Sequence, residues 1–431
     1  MSAPHVAIVG AGLSGTLQAI HLARAGGRAT LIERENVPGR GVAYGTDRPE
    51  HLLNVPARRM SGLADDPDHF TRWWAARGGG EEDYAPRRVF GGYVRELLAA
   101  AGDAVEIVRG AAVDIEPGGQ VRLADGRGIA ADAVVLALGN LRPALPTRID
   151  TAALAGAWLA DPWAADIGAG FGSGDTIVLL GTGLTAVDVA LTLDAQGFAG
   201  RIVALSRRGL APRAHEPREP MVAPQENLPT DCVGLLRRVR RRSAEIGWRS
   251  AVHELRSVTQ AIWRGAALEE RQRFLRHLRP WWDVHRHRIA PAVGATIDRM
   301  QADGRLRFAA GRVVSARPDD GGACFEWRPR GSEAVERLSA RRIVNCTGPE
   351  LDIVRAGEPL FDALIGRGRV RPDVCRIGID VDAELRAIGA DGRPSDTLFA
   401  IGPMTRGAFW ESIAVPDIRG QAARIAERLI A

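Results

Sequence analysis

Three patterns in the sequence predict an α/β protein with two Rossmann-like dinucleotide-binding domains. One apolar run ends in Gly10-x-Gly12-x-x-Gly15, and a later one ends in Gly181-x-Gly183-x-x-Ala186. Each glycine pattern is followed by a helix-like stretch and a second apolar strand, which is the order of a β–α–β unit. The apolar runs show no alternation, as expected of strands in a parallel sheet covered on both faces.

The first glycine pattern is expected to bind the pyrophosphate of FAD. Gly10 permits the tight turn, Gly12 lets the backbone approach the phosphates, and Gly15 lets the helix pack closely on the strand. The second strand ends at Glu33. A carboxylate at that place can accept hydrogen bonds from an adenosine ribose, and the alternative is a plain glycine-rich turn.

A glycine-rich loop over residues 37–46 follows the second strand, and we expect it to pass over the isoalloxazine ring. Arg34, Arg40 and Tyr44 are therefore candidate cofactor-binding residues, although a surface loop is the alternative. Helices are expected at 68–78 and 90–101, capping the site, and short strands of a meander at 105–108, 111–115 and 121–123. A buried strand over 129–140 is expected to end in a turn at Gly139, and residues 143–163 to form a linker.

The second glycine pattern, with Thr185 in its helix start, is assigned to NADPH. Its second strand ends in Ser206-Arg207-Arg208 rather than in an acid. Two guanidinium groups and a hydroxyl can bind a ribose 2′-phosphate, which an acid would repel. The alternative is that both arginines are ordinary solvated charges at a strand end.

A helical insertion is predicted over 227–301, because this region is rich in arginine and lacks strand alternation. The arginine run 237–242 is interpreted as a solvated helix face, the alternative being a patch that attracts an anionic substrate. The segment 281–288 holds two tryptophans and two histidines. His285 and His287 would point apart on a helix, so we predict no metal site and interpret the segment as an aromatic cap over the flavin.

Strands resume at 305–308, 311–316 and 324–328, and a core strand ends in the turn at Gly348. A last strand ends at Gly402-Pro403, and a C-terminal helix begins near Ile413, where its amides would face the flavin pyrimidine. We therefore expect an FAD-binding domain at 1–150 and 351–431, and an NADP-binding domain at 151–350.

Composition bounds the function further. The 431 residues carry 57 basic side chains, all arginine, against 52 acidic ones, and the two signs are interspersed, so we expect no nucleic-acid partner. The four cysteines lie far apart without a C-x-x-C motif, which favours reduced thiols over a redox-active dithiol. We find no signal peptide and no membrane span, and expect a cytoplasmic protein. The oligomeric state is not indicated.

Nearly the whole chain resembles the bacterial FAD/NAD(P)-binding protein family, a relative of the class B flavoprotein monooxygenases. The resemblance rests on both glycine patterns and on the segments 53–57, 206–209, 345–348 and 402–403. It implies NADPH-driven reduction of FAD, capture of O2 as a C4a-hydroperoxyflavin, and oxygen transfer to a nitrogen or sulfur atom of a small substrate. It also implies that Asn54, the candidate catalytic residue, and Met60 lie beside the flavin.

Two alternatives stay open at this point. One is an NADPH-dependent flavin reductase or dehydrogenase without oxygenation, which needs the same motifs. The other is a nucleotide-binding redox sensor without turnover. The Phe-x-Gly-x-x-x-His-x-x-x-Trp fingerprint is absent from the sequence, which counts against a Baeyer–Villiger enzyme.

Overall fold

Two mainly parallel sheets organise the chain in the computed structural model, which describes residues 3–35, 37–154, 156–163, 166–216 and 228–431. The start of the predicted insertion, Asn227, lies outside the described residues. The strands are β1 (His5–Val9), β2 (Arg28–Glu33), β3 (Val105–Arg109), β4 (Ala112–Ile115), β5 (Val121–Leu123), β6 (Gly128–Ile129), β7 (Ala133–Leu136), β8 (Trp158–Leu159), β9 (Thr176–Leu180), β10 (Arg201–Ser206), β11 (Leu306–Asp319), β12 (Gly322–Pro329), β13 (Glu336–Ala340), β14 (Arg342–Asn345), β15 (Arg386–Ile388) and β16 (Pro394–Ala400).

The helices alternate with the strands in the first half and cluster before β11. They are α1 (Leu13–Arg24), α2 (Gly41–Tyr44), α3 (His69–Ala75), α4 (Arg87–Ala100), α5 (Leu184–Ala195), α6 (Cys232–Ile246), α7 (Trp248–Glu254), α8 (Thr259–Gly265), α9 (Leu268–Arg273), α10 (Arg279–Arg286), α11 (Pro291–Ala302), α12 (Pro359–Gly366) and α13 (Val415–Ile430). Short 3₁₀ turns lie at Ala57–Arg59, Gly102–Ala104 and Gly402–Thr405, and a π-helical turn lies at Phe274–Leu278.

The first sheet has the strand order β15-β16-β7-β1-β2-β3, and only β15 runs antiparallel to its neighbour. The central strands β1 and β7 are apolar and almost wholly buried, because helices cover the sheet. The C-terminal helix α13 packs on α1, with Ala422 and Ile425 in the core. The chain therefore returns to its first sheet at the end, and we call this part the first unit.

The second sheet has the order β13-β12-β11-β10-β9-β14-β8. Strands β8, β14, β9, β10 and β11 are parallel, whereas β12 and β13 extend the sheet as an antiparallel edge. Helix α5 follows β9 and is buried along most of its length. We call this part the second unit. The predicted class, α/β with two Rossmann-like units and a helical insertion, is confirmed, while the predicted domain boundaries stay a prediction.

Three local predictions were wrong because strand pairing depends on distant residues. Strand β3 pairs with β2 in the first sheet, and the meander is instead formed by β4, β5 and β6. The segment assigned to a linker contains β8, which pairs with β14. The strands expected separately at 305–308 and 311–316 form one continuous strand, β11, with an irregular register near Val313.

Candidate functional site

The first glycine turn has the backbone geometry that a dinucleotide pyrophosphate requires. Gly10 has φ +101°, and a Cβ atom there would lie 2.5 Å from the carbonyl oxygen of Ala137. A Cβ atom at Gly15 would collide with the carbonyl oxygen of Gly10. Gly12 caps α1 in an extended conformation, so the free amides at the start of this helix face the turn. The residues therefore fit the phosphates of FAD.

Glu33 lies beside this turn, as the β–α–β pattern predicts. It is 7% exposed, and its Oε2 accepts a hydrogen bond of 2.9 Å from the amide of Ala11. The neighbouring Arg34 forms an ion pair of 2.7 Å with Glu358, which raises the pKa of the guanidinium. Arg34 is thus held by an acid of the same unit, while Glu33 lies where a ribose hydroxyl would meet the strand end.

The glycine-rich loop after β2 packs on the glycine turn itself. The amide of Gly39 donates to the carbonyl of Ala11 at 2.9 Å, and a Cβ atom at Gly41 would lie 3.0 Å from the Cα of Gly12. Arg40 pairs with Asp47 at 3.2 Å. The position of this loop over the isoalloxazine ring stays a prediction.

Tyr44, at the end of α2, packs against a helix of the first unit. Its ring lies 4.8 Å from that of Phe90, and burial raises the pKa of its hydroxyl to about 12. The hydroxyl therefore stays protonated across the physiological range.

The second glycine turn repeats the geometry of the first. Gly181 has φ +127°, and a Cβ atom there would collide with the carbonyl oxygen of Cys346, at the end of the neighbouring strand. Gly183 is extended and exposed at the start of α5, and Thr185 is half-buried in its first turn. This turn can also present backbone amides to a phosphate.

The strand end after the second turn combines a hydroxyl network with two arginines. The Ser206 hydroxyl lies 2.9 Å from that of Thr182 and accepts a hydrogen bond of 3.0 Å from the amide of Gly209. Arg207 is exposed, whereas Arg208 is half-buried and donates to the carbonyl of His277 at 2.9 Å. Arg208 therefore links the strand end to the helical insertion.

A cavity of about 270 Å³ lies where the two units meet, and it brings together predicted residues of both. Asn54 and Ile413 come from the first unit and Gly183 from the second. The remaining lining residues are Leu184, Pro212, Arg279, Asp283, Val284, His287, Arg406, Trp410 and Glu411. Helix α10 supplies one wall through Arg279, Asp283 and Val284, whereas Trp281 and Trp282 are not among the lining residues. An aromatic cap over the flavin formed by the segment 281–288 therefore stays a prediction.

The lining contains ionisable residues to which the sequence analysis gave no role at the site. Glu411 has φ +68°, is 7% exposed, and accepts hydrogen bonds from Trp282 Nε1 at 2.6 Å and Arg286 Nε at 2.9 Å. Burial lowers the pKa of His287, so its imidazole is neutral at pH 7. The only sequence signals for these residues were the dense aromatic run and the closeness of Glu411 to the Gly402-Pro403 turn.

Asn54 is fixed through its backbone. Its carbonyl oxygen accepts a hydrogen bond of 3.0 Å from His215 Nε2, and the adjacent Leu53 amide donates to the carbonyl of Ala85 at 2.9 Å. Met60 is 2% exposed in the core of the first unit, and it does not belong to the cavity lining with Asn54. That both residues lie beside the flavin, as the resemblance implies, stays a prediction.

The other predicted glycines end strands with positive φ: +66° at Gly139, +85° at Gly348 and +75° at Gly402. The amide of Gly402 donates to Gln421 Oε1 at 2.8 Å, and a Cβ atom there would collide with the Ser14 hydroxyl. Pro403 is buried in the following turn. The Gly402 turn therefore packs on α1, close to the first glycine turn.

A buried ion pair fastens the two units together beside the site. Arg87, at the start of α4, donates to both carboxylate oxygens of Asp188 on α5, at 2.7 and 3.1 Å. The Arg87 Nε also donates to the carbonyl of Leu52 at 3.1 Å. His51 Nε2 lies 3.0 Å from the Thr192 hydroxyl of the same helix. The segment that leads to Asn54 is thus anchored on the helix that follows the second glycine turn.

A larger cavity, of about 850 Å³, lies elsewhere and is lined by residues such as Val6, Asp132 and Ala133. These residues lie at the amino ends of β1 and β7, whereas ligands of open α/β sheets bind at the carboxyl ends. The smaller cavity between the units is therefore the better candidate. Among the described residues, no group of His, Cys, Asp and Glu could hold a metal ion.

Together, the two sheets and the two glycine turns define a fold with two dinucleotide-binding units, of the kind found in two-domain flavoproteins. Residues 7–141 match a family model described as FAD-NAD(P)-binding, which confirms the predicted cofactor class for this segment. In the described part of the chain, no helix has the length and apolarity needed to cross a bilayer.

Solved structures with the same fold cover almost the whole chain. L-lysine 6-monooxygenase from Pseudomonas syringae has a TM-score of 0.69 at 15% identity, and ornithine N-hydroxylase from Kutzneria sp. 744 has 0.66 at 14%. Thioredoxin reductase from Lactococcus lactis has a TM-score of 0.56 at 14% sequence identity. Each comparison covers 99% of both chains. The resemblance to flavoprotein monooxygenases is confirmed at the level of fold.

A sequence relative of curated function matches only a short segment. Phytoene dehydrogenase from Streptomyces griseus is 60% identical over 35 residues, which are 8% of this chain and 7% of that protein. The match therefore concerns a small part of either protein.

Proposed function

We propose that this protein is an FAD-dependent, NADPH-consuming monooxygenase that acts on a nitrogen or sulfur atom of a small substrate. The observation that carries the proposal is the cavity between the units, where Asn54 and Ile413 of the first unit face Gly183 of the second. The lysine and ornithine enzymes with this fold act, by their names, on amino acids.

Each unit would bind one of the two cofactors. The first glycine turn and Glu33 would hold FAD, and the second turn with Thr185, Ser206 and Arg207 would hold NADPH. FAD and NADPH, held by these residues, would supply hydride transfer and reactivity towards O2. The Asn54 amide can donate a hydrogen bond into the cavity, while the wall formed by α10 and Trp410 would exclude water.

The experiment that tests oxygenation starts from FAD-loaded protein, reduced anaerobically with NADPH and mixed with oxygenated buffer. Flavin absorbance and hydrogen peroxide are followed together. Slow return of the oxidised flavin spectrum with delayed peroxide release supports a monooxygenase. Immediate return with stoichiometric peroxide supports a flavin reductase or dehydrogenase instead, and absence of flavin reduction by NADPH supports a sensor without turnover.

The coenzyme preference is tested separately at the end of β10. Replacing Arg207 and Arg208 by alanine is expected to raise the KM for NADPH about tenfold or more and to leave NADH nearly unaffected, because charge-assisted bonds to the 2′-phosphate are lost. Arg201→Ala, exposed at the opposite end of the same strand, is the matched control. Equal loss for both coenzymes would contradict the 2′-phosphate assignment.

A further inference from the structure

Arg406 is the feature of the cavity that neither glycine turn explains. It follows the 3₁₀ turn Gly402–Thr405, is half-buried, and lines the cavity together with Asn54 and Ile413. Its position places a guanidinium group in the first unit, on the same cavity as the candidate catalytic amide.

The other charges of the cavity wall have partners. Glu411 is neutralised by Arg286 at 2.9 Å, and Arg279 lies 3.5 Å from Asp283. Within the described residues, no carboxylate oxygen comes within 4.0 Å of the Arg406 guanidinium, whose hydrogen bond to Asn140 Oδ1 is long, at 3.4 Å. Arg406 is thus a positive charge in excess of the paired ones.

Burial and the positive charge of Arg279 together lower the pKa of Arg406 to about 10, although the carboxylates of Asp283 and Glu411 act in the opposite direction. The guanidinium nevertheless stays protonated at neutral pH. A half-buried guanidinium without a directly paired carboxylate is poorly compensated, whereas an anion in the cavity would compensate it and accept two parallel hydrogen bonds from its planar fork.

We propose that Arg406 binds a carboxylate group of the substrate, so that the substrate class is a small carboxylic acid. This inference rests on the proposed function, because it assumes that the cavity receives the substrate. The phosphates of the coenzymes share the anionic chemistry. Arg406, however, belongs to the first unit, whereas the second glycine turn and Arg207, where NADPH is expected, belong to the second.

The test measures binding without turnover. Protein loaded with FAD is titrated calorimetrically with glutarate, benzoate, L-lysine and L-ornithine, and with the amines cadaverine and putrescine, which lack the carboxylate. The same titrations, and one with NADP⁺, are made on Arg406→Gln, Arg406→Lys and the control Arg276→Gln. Arg276 is an exposed arginine of the helical insertion.

We expect at least one carboxylate to bind and the matching amine to bind more weakly. Arg406→Gln should raise the dissociation constant of that carboxylate about tenfold or more, and Arg406→Lys should restore part of the affinity. Arg276→Gln should bind the carboxylate as tightly as the wild type does. The proposal is overturned if no carboxylate binds, or if Arg406→Gln binds carboxylates normally. It is also overturned if NADP⁺ affinity falls and carboxylate affinity does not, because the cation would then serve the coenzyme.

This test is independent of the oxygen reaction. Failure of NADPH to reduce the flavin would contradict the proposed function while leaving carboxylate binding measurable. Loss of carboxylate binding with intact NADPH oxidation would contradict only the substrate class.

Discussion

Replacing Arg87 by methionine tests whether the ion pair between the two units holds them together. The side chains of Arg87 and Asp188 are 15% and 6% exposed, so the methionine variant leaves the Asp188 carboxylate buried without its counterion. Loss of one partner from a buried pair costs about 3–5 kcal/mol. The carbonyl of Leu52 also loses a donor, which adds about 1 kcal/mol. We therefore expect the free energy of unfolding to fall by about 4 kcal/mol or more.

A double-mutant cycle separates this ion pair from general packing. Arg87→Met combined with Asp188→Leu removes both charges, so the double variant should be more stable than Arg87→Met alone. The free energies are measured by urea unfolding followed by tryptophan fluorescence, with FAD retention recorded on the same samples. Arg88→Met, an exposed neighbour on α4, is the control and should change stability by less than about 0.5 kcal/mol. If the two single substitutions are additive, the units are not held by this pair.

Three further predictions concern the glycine turn, the ribose acid and the cysteines. Gly15→Ala should abolish FAD binding in a reconstitution titration, because its Cβ would collide with the Gly10 carbonyl, whereas Gly92→Ala in α4, where nothing lies within 4 Å, should bind FAD normally. Glu33→Gln should lower the affinity for FAD about tenfold, because charge-assisted hydrogen bonds to the ribose are lost. An unchanged affinity would show that Glu33 does not bind FAD. Loss of solvation raises the pKa of the Cys232 and Cys375 thiols to about 11, so both stay protonated below pH 9. Iodoacetamide should therefore alkylate them much more slowly in the native than in the urea-unfolded protein, and equal rates would contradict the raised pKa values.

In the helical insertion, the sequence pattern predicts which arginines are exposed but not which one forms an ion pair. The composition of the arginine run 237–242 predicts a solvated helix face, and Arg237, Arg240 and Arg241 are exposed on α6. Arg242, however, forms a hydrogen-bonded ion pair of 2.8 Å with the buried Glu254 of α7. Periodicity predicts which side of a helix is polar, but it does not tell which polar residue meets a neighbouring helix.

The sequence by itself determined the two glycine turns, because a tight turn with a positive φ and a helix start depends on residues that are neighbours in the chain. It likewise determined that the central strands are buried, since an unbroken apolar run is a local pattern. The tertiary structure alone decided which sheet contains β3 and β8, that Met60 belongs to the core of the first unit, and that Arg406 and Asn54 line the same cavity. Arg87 meets Asp188 across 101 positions of the sequence. Contacts of this kind arise only when separate units pack together, and no local spacing encodes them.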